Sequence, residues 1–221
     1  YTMSVTINGQ LALCLLSEML IDQIPSLKMI QANTDGITVQ LDRDKLDELN
    51  KISAEWEALT KLELESVEYS KMFIRDVNNY IAVGVDGKVK RKGCYEYNLD
   101  LHKNHSALVI QKAVEHHLVH GGDVEDFIRN HDDPFDFYLR TKIKRGDRLL
   151  LCKDGHETPQ QRITRYYISH DGGELVKIMP PLAKSPNKVR QTAINKGYKV
   201  MVRNKANKNS FGDVNYQFYI D

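Results

Sequence analysis

The sequence predicts an α+β fold in two parts, and two observations support this prediction. Helical and strand-like segments alternate up to about residue 98, and two helical segments followed mainly by strand-like runs come after it. The charge divides as well. Residues 1–136 hold 14 basic and 23 acidic side chains, a net charge of −9, and residues 137–221 hold 17 and 7, a net charge of +10. An acidic part joined to a basic part indicates two domains with different partners.

The first predicted elements are a helix and a β-hairpin. The helix is capped by Asn8 and continues to about Ile24. Its apolar stripe consists of Leu11, Leu15, Leu16, Met19 and Leu20. The hairpin has arms at 28–32 and 36–41, which meet at the turn Asn33-Thr34-Asp35-Gly36.

A second helix and further strands complete the first part. Asp42 and Asp44 are candidate caps for this helix. Its apolar positions recur every three or four residues, at Leu46, Leu49, Ile52, Trp56 and Leu59. Residues 62–69 alternate like a half-exposed strand. The runs at 79–85 and 88–93 are joined by an Asp-Gly pair, which predicts a second hairpin.

The second part is predicted to contain two helices followed by five strands. The helices cover 104–120 and 123–130. The strands cover 148–152, 162–169, 174–178, 198–203 and 214–220. The second and third of these strands flank Asp171-Gly172-Gly173, which predicts a turn between them.

The tip of the first hairpin carries a lone carboxylate, Asp35, between arms that are otherwise apolar or neutral. Hairpin arms are rigid, so they would hold this carboxylate in place for a metal ion. Nucleotidyl transfer uses two divalent ions about 4 Å apart, and magnesium suits such a site because it prefers oxygen ligands. The alternative is structural, because Asp-Gly is a favoured turn pair in its own right.

Tyrosines are interleaved with the basic residues of the second part, which suits a nucleic-acid surface because cations bind phosphates and rings stack on bases or sugars. These tyrosines are Tyr138, Tyr166, Tyr167, Tyr198, Tyr216 and Tyr219. In residues 161–169, Arg162 and Arg165 alternate with aromatic residues, and a strand there would place Arg165 and Tyr167 on one face. The alternative is a solvated basic face that covers core tyrosines.

Other classes of site find less support in the sequence. His116 and His120 are four residues apart on a predicted helix and could share a metal ion, but the H-E-x-x-H pattern is absent and a solvated helix face is the alternative. Asp132, Asp133 and Asp136 are predicted to lie in a loop that caps the next helix. The sequence contains neither a nucleophile motif nor a Gly-rich phosphate loop.

The order of these segments resembles family B DNA polymerases, most closely a phage-type branch. That family has a T-x-x-G-Q segment and a helix, which lead into an apolar strand and a D-T-D-S hairpin. The corresponding segments here are Thr6-Ile7-Asn8-Gly9-Gln10, the helix to Ile24, "KMIQA" and the turn with Asp35. The family's K-x-Y-like element and K-G pair correspond to "VNNYIAVGVDGKVKRKG" at 77–93. The resemblance is strong over residues 4–97 and looser beyond.

The resemblance implies roles for individual residues. Asp35 corresponds to the hairpin aspartate that binds the catalytic metals, whereas Asn33 replaces the first aspartate of the pair. Tyr80 corresponds to the tyrosine near the primer end, and Asn78 replaces the lysine of that element. The resemblance implies that contacts to the DNA backbone shift to Lys88, Lys90, Arg91 and Lys92. Of these, Lys92 with Gly93 matches the K-G pair.

The resemblance also implies a division into the C-terminal part of a polymerase palm, residues 1–98, and a duplex-binding thumb, residues 99–221. The palm part would be an antiparallel sheet with helices and the catalytic hairpin, and the thumb a mixed α/β domain. Two Mg²⁺ ions would be shared with carboxylates outside this chain. Expected partners are primer–template DNA, a deoxynucleoside triphosphate and the upstream part of the polymerase, whose absence would leave this chain inactive alone. The chain starts at Tyr1, which also suggests a fragment.

We expect a cytoplasmic protein, in the host cell if a phage encodes it, because the longest purely apolar run, Leu11–Leu16, is too short to span a bilayer.

The second hypothesis is a stand-alone nucleic-acid-binding protein without catalysis, in which the first hairpin is only a turn.

Overall fold

The chain folds into α-helices and antiparallel β-sheets, which confirms the predicted α+β class. The computed structural model describes residues 2–98, 103, 106–185, 187–204 and 212–221. The chain divides into two units, Tyr1–Lys92 and Gly93–Asp221. The predicted start of the third helix, at residues 104 and 105, lies outside the described residues.

Unit 1 contains two longer helices, a two-stranded sheet and a three-stranded sheet. In chain order its elements are α1 (Thr2–Gln23), β1 (Lys28–Ala32), β2 (Ile37–Gln40), a 3-10 turn (Arg43–Lys45), α2 (Leu46–Thr60), β3 (Tyr69–Asp76), β4 (Asn79–Gly84) and β5 (Val89–Lys92). Strand β1 pairs with β2, and β4 lies between β3 and β5. Both predicted hairpins are therefore confirmed.

The helices α1 and α2 pack through a small apolar core. Its buried members are Leu16, Leu20, Ile24, Ile52 and Trp56. The indole Nε1 of Trp56 donates a hydrogen bond of 2.7 Å to the carbonyl oxygen of Ala12, which ties the two helices together. Leu11, Leu15 and Leu59 were predicted to face the core but are exposed. On α1 the buried row has a spacing of four residues, and Leu11 belongs to a neighbouring row.

The length and apolar character of helix α1 exceed what was predicted from the sequence. From Met3 to Gln23 it is long and apolar enough to cross a membrane, and it is the one such helix in the part of the chain that the structure describes. This criterion rests on length and composition, and core helices and signal sequences also meet it. The helix extends well beyond the run Leu11–Leu16, because Asn8, Gly9 and Gln10 do not interrupt it. The predicted cap at Asn8 is therefore wrong, since α1 begins at Thr2.

The predicted strand at 62–69 is wrong. Helix α2 ends at Thr60, and the capping residue Lys61 adopts a left-handed conformation with φ = 62°. The backbone N–H of Leu64 then donates a hydrogen bond of 2.6 Å to the carboxylate of Glu57, which holds this segment against the helix in an irregular conformation. The strand β3 begins only at Tyr69.

Unit 2 contains helices on a six-stranded sheet. Its elements are a 3-10 turn (Gly93–Tyr95), α3 (Leu108–His120), α4 (Val124–Asn130), a 3-10 turn (Pro134–Phe137), β6 (Leu139–Lys142), β7 (Arg148–Lys153), β8 (His156–Gln160), β9 (Ile163–Met179), β10 (Arg190–Ala193), β11 (Val200–Val202) and α5 (Gln217–Ile220). The order β10-β9-β7-β8 forms the main path, and β6 and β11 pair with the first half of β9. The strands β6, β8 and β10 were not predicted.

The predicted turn at Asp171-Gly172-Gly173 is wrong, because β9 continues through it as one 17-residue strand. Both glycines lie where neighbouring backbone approaches closely. A Cβ atom on Gly172 would come within 2.2 Å of the Val200 carbonyl oxygen, and one on Gly173 within 2.6 Å of the Cys152 carbonyl oxygen. The glycines therefore permit tight strand packing rather than chain reversal.

The predicted closing strand at 214–220 is also wrong, since Gln217–Ile220 forms the short helix α5. Tyr219 anchors it in the core. Its hydroxyl donates to the Phe137 carbonyl oxygen at 2.8 Å and accepts from the Ile168 N–H at 3.0 Å. The core around it includes Val109, Ile128, Phe137, Tyr167, Ile168 and Leu175.

Candidate functional site

The turn that carries Asp35 is held by Asn33. The Asn33 N–H donates to the Gly36 carbonyl oxygen at 2.9 Å, which closes the hairpin. The Asn33 side-chain oxygen also accepts a hydrogen bond of 3.2 Å from the Asp35 N–H. This is the local contact by which asparagine favours turns. Asn33 therefore has a structural role in orienting the backbone at Asp35.

The carboxylate of Asp35 is exposed at the tip, and the arms behind it are anchored. Ile37 and Val39 on β2 pack against the core of α1 and α2. The register of β1 and β2 pairs Ala32 with Ile37 next to the turn. This arrangement presents a carboxylate to solvent on a fixed support.

A magnesium ion would fit the donor chemistry of Asp35, because an exposed carboxylate is a hard oxygen ligand. In the part of the chain that the structure describes, however, no three His, Cys, Asp or Glu side chains come together to hold a metal ion. By its chemistry, Asp35 can contribute one ligand to such a site.

The strand β5 places a row of lysines on one face of the second sheet. Lys90 and Lys92 are two residues apart and therefore share a face, and both are exposed. Lys92 lies opposite Tyr80 on β4. Tyr80 itself is buried, with 7% of its surface exposed, so its ring is not accessible to a ligand in this conformation.

Two of these lysines are hydrogen-bonded. Lys88 forms an ion pair of 2.8 Å with Asp86, and this hydrogen bond and the carboxylate charge raise the pKa of the lysine. Lys90 donates to the Tyr69 hydroxyl at 3.2 Å, which raises its pKa. The half-buried Arg91 donates to the Val89 carbonyl oxygen at 3.1 Å. Both lysines thus remain cations at neutral pH and are suited to bind phosphate.

In unit 2 the predicted nucleic-acid residues separate into surface and core. Arg162 and Arg165 are exposed, near and on the first residues of β9. Tyr167 is 1% exposed, and its hydroxyl donates to the Gly212 carbonyl oxygen at 2.8 Å. Its ring also meets Tyr138 edge-on, with centroids 5.9 Å apart. The arginines can reach a ligand, and the tyrosine supports the core beneath them.

The sequence did not predict a second basic region, which lies where β6 and β9 end and β7 and β10 begin. Lys144, Lys177 and Arg190 line a cavity of about 300 Å³ there. The signal in the sequence was the dense run "KIKRGDR" at 142–148. The other two cations come from distant segments, so spacing along the chain could not have joined them.

The acidic loop forms the cap that was predicted. Asp133 precedes the 3-10 turn Pro134–Phe137 and accepts a hydrogen bond of 3.0 Å from the Phe135 N–H. Asp136 is buried, and its carboxylate contacts both Lys112 Nζ and His131 Nε2 at 2.5 Å. The contact with Lys112, which lies on α3, fixes the loop to that helix.

The His116 and His120 rings lie side by side, with centroids 5.9 Å apart, and His116 also packs against Phe127 at 5.0 Å. The contact with Phe127 gives His116 a packing role.

Comparison with known proteins assigns no family to this chain. The chain matches no protein-family model, and a search of curated proteins also returns no match.

Proposed function

We propose that this chain is the C-terminal part of a family B DNA-directed DNA polymerase, with the end of the palm in residues 1–98 and the thumb in residues 99–221. The observation that supports it most directly is the Asp35 hairpin. An exposed carboxylate stands at the tip of an anchored hairpin. The sequence resemblance implies that this carboxylate corresponds to the family's metal-binding aspartate.

In this proposal the residues of the chain have separate tasks. Magnesium, when bound, supplies activation of the primer hydroxyl and charge neutralisation for the leaving pyrophosphate. Asp35 provides one ligand, and the upstream part of the enzyme provides the others. Lys88, Lys90 and Lys92 bind backbone phosphates near the primer end, and Arg162 and Arg165 of the thumb bind the duplex.

The test of the catalytic part is Asp35→Asn in the complete enzyme. Asparagine keeps the size of the side chain but removes the charge that a metal ion needs. We expect nucleotide addition to fall by about three orders of magnitude, whereas affinity for primer–template duplex changes by less than about twofold, because non-specific affinity depends on phosphate contacts. The measurements are single-turnover primer extension and equilibrium duplex binding.

The matched control is Asn33→Ala, which removes the side-chain contact to the Asp35 N–H but no charge. We expect its rate of nucleotide addition to stay within about tenfold of wild type, since one exposed hydrogen bond contributes about 1 kcal/mol. A near-normal rate in the Asp35→Asn enzyme would end the catalytic interpretation of the hairpin.

The second candidate is a stand-alone nucleic-acid-binding protein without catalysis. The cations of unit 2 favour it, because Arg162, Arg165 and the cations of the cavity lie far along the chain from Asp35 and do not need it. Both candidates predict salt-dependent duplex binding. Only the polymerase predicts that the chain supports primer extension once the upstream segment is supplied.

A further inference from the structure

The strongest unassigned feature is the cationic groove of unit 2, defined by Lys144, Lys177 and Arg190 with Asp147 and Pro180. It has a volume of about 300 Å³. Its three cations come from three separate segments of the chain, namely the β6–β7 turn, the end of β9 and the start of β10.

Strand register explains how these cations converge. Lys177 and Met179 are two residues apart on β9 and therefore lie on one face of the sheet. Arg190 pairs directly with Met179 across the strands, so it joins the same face. The β6–β7 turn brings Lys144 to the groove. Gly146 adopts φ = +99° in this turn, and a Cβ atom there would contact the ring of Pro180 at 3.8 Å.

The groove holds more positive charge than its own carboxylate can neutralise. Lys177 Nζ lies 3.8 Å from the carboxylate of Asp147, whose side chain is 8% exposed. Asp147 is the one acidic residue among the described residues that line the groove. Three cations against one carboxylate leave a formal charge of +2, which an anion can balance.

The arginine of the groove is oriented before any ligand arrives. Its guanidinium donates to the Pro180 carbonyl oxygen at 3.3 Å and contacts the Met179 sulfur at 3.6 Å. These neutral partners fix the position of Arg190 without cancelling its charge. An oriented guanidinium is well suited to phosphate because its fork of N–H donors matches phosphate oxygens.

The surroundings favour a polymeric ligand over a small anion. Further cations lie exposed on the adjoining segments: Lys142, Arg145, Arg148, Lys184 and Lys188. The groove has no aromatic side chain among its described lining residues that could stack on a base. A ligand that satisfies both features carries a row of phosphates and is recognised without base contacts.

We propose that the cationic groove binds a backbone phosphate of duplex DNA, at a point separate from the Arg162 and Arg165 surface. Arg165 and Lys177 lie on the same strand and are 12 residues apart (177 − 165). Twelve residues of an extended strand span about 40 Å. This span is much larger than the rise of about 3.4 Å per phosphate along one DNA strand, so the two surfaces contact different phosphates. The inference rests on the proposed function for the identity of the polymer and adds a contact that the resemblance did not supply.

The test is a salt titration of duplex binding by the full chain with Lys177→Gln and Arg190→Gln combined. Glutamine keeps much of the stem of each side chain and removes its charge. Each phosphate contact contributes about 0.9 to the slope of log K against log salt. We therefore expect the slope to become shallower by about 2 and the affinity at 100 mM salt to fall by about tenfold or more.

Two further variants make the result specific. Lys196→Gln with Lys199→Gln removes the same charge from exposed positions between β10 and β11, and we expect a slope change of less than about half that of the groove variant. Lys144→Gln lies in an exposed turn and spares the Lys177–Asp147 pair. It should reduce the slope by about 1 even if the double variant folds poorly.

The outcomes separate the two proposals. If the wild-type chain shows no salt-dependent duplex binding, the duplex-binding part of the proposed function fails. If wild type binds but the groove variants keep its slope, or lose no more than the Lys196 and Lys199 control, the groove inference alone is overturned. Submillimolar binding of inorganic phosphate or a mononucleotide, with duplex binding unchanged in the groove variants, would overturn it in favour of a small-anion site.

Discussion

At the scale of single residues, hydrogen bonds from buried tyrosine hydroxyls hold segments of unit 2 together. The Tyr166 hydroxyl donates to the Asn195 side-chain oxygen at 2.6 Å, and those of Tyr167 and Tyr219 donate to backbone carbonyl oxygens. Alternation of these tyrosines with basic residues suggested a stacking surface. Their hydroxyls instead satisfy buried polar groups, which would otherwise be costly to leave unpaired. In the proposed function, phosphate binding by this unit therefore depends on its lysines and arginines.

Tyr166 makes the stability of the protein sensitive to alkaline pH. Burial raises the pKa of Tyr166 from 10.0 to about 12. Below pH 10 the folded and unfolded states are both protonated, so the stabilisation is complete. Above it the unfolded chain releases its proton first, and the free energy of unfolding falls by up to about 1.4 kcal/mol per pH unit until the pH passes the folded pKa.

We predict that Tyr166→Phe costs about 1 kcal/mol at pH 8, through loss of the hydrogen bond to Asn195, and that this difference shrinks as the pH rises from 10 towards 12. Urea unfolding at pH 8, 10 and 11 measures it. The exposed Tyr198→Phe is the control. A Tyr166→Phe effect that is constant from pH 8 to pH 11 would contradict the burial argument.

At the scale of elements, the long strand β9 organises unit 2. It pairs with β6 and β11 through its first half and with β7 and β10 through its second half. Gly172 and Gly173 lie between these halves, where Val200 on β11 and Cys152 on β7 approach the backbone. The same strand thus carries Arg165 near one end and Lys177 near the other.

We predict that Gly172→Ala lowers the free energy of unfolding by more than about 2 kcal/mol, because the added methyl group would meet the Val200 backbone rather than a flexible side chain. Gly212→Ala is the control in the same unit, since nothing lies within 4 Å of a Cβ atom there. It should change stability by less than about 1 kcal/mol. Chemical denaturation of both variants tests this, and equal effects would contradict tight packing at Gly172.

At the scale of the whole molecule, the charge division of the sequence, between residues 136 and 137, lies within unit 2 and not at the boundary between the units at Lys92 and Gly93. Unit 1 presents Asp35 on its hairpin, and the basic residues of 137–221 belong to unit 2, where Arg165 and Lys177 lie on β9 and Lys144 lies in a turn. In the proposed polymerase, metal chemistry depends on the Asp35 carboxylate and DNA binding depends on cations in both units, so the two activities respond to different changes in solution.

We predict that the chain alone extends no primer in magnesium, because Asp35 is a single ligand and two-metal chemistry needs more carboxylates. Duplex binding should persist in EDTA at constant ionic strength, changed by less than about twofold, because it depends on the cations of the protein. Primer extension and equilibrium binding measure the two properties. Extension by the purified chain, or loss of binding in EDTA, would contradict this division of tasks.

The sequence by itself determined the local elements. Periodicity located α1 and α2, and the turn pairs at Asn33–Gly36 and Asp86-Gly87 located both hairpins, because these signals depend on neighbouring residues. It also placed Asp35 at an exposed tip, since a turn residue projects from the sheet whatever packs behind it.

Only the tertiary structure decided the rest. Gly172 and Gly173 match a turn in sequence, but the approach of β7 and β11 extends the strand through them. Tyr80 and Tyr167 match surface rings, but long-range packing buries them. The groove joins Lys144, Lys177 and Arg190, which lie up to 46 positions apart (190 − 144). Pairing of β9 with β10 brings Arg190 beside the end of β9, and no local pattern encodes such a contact.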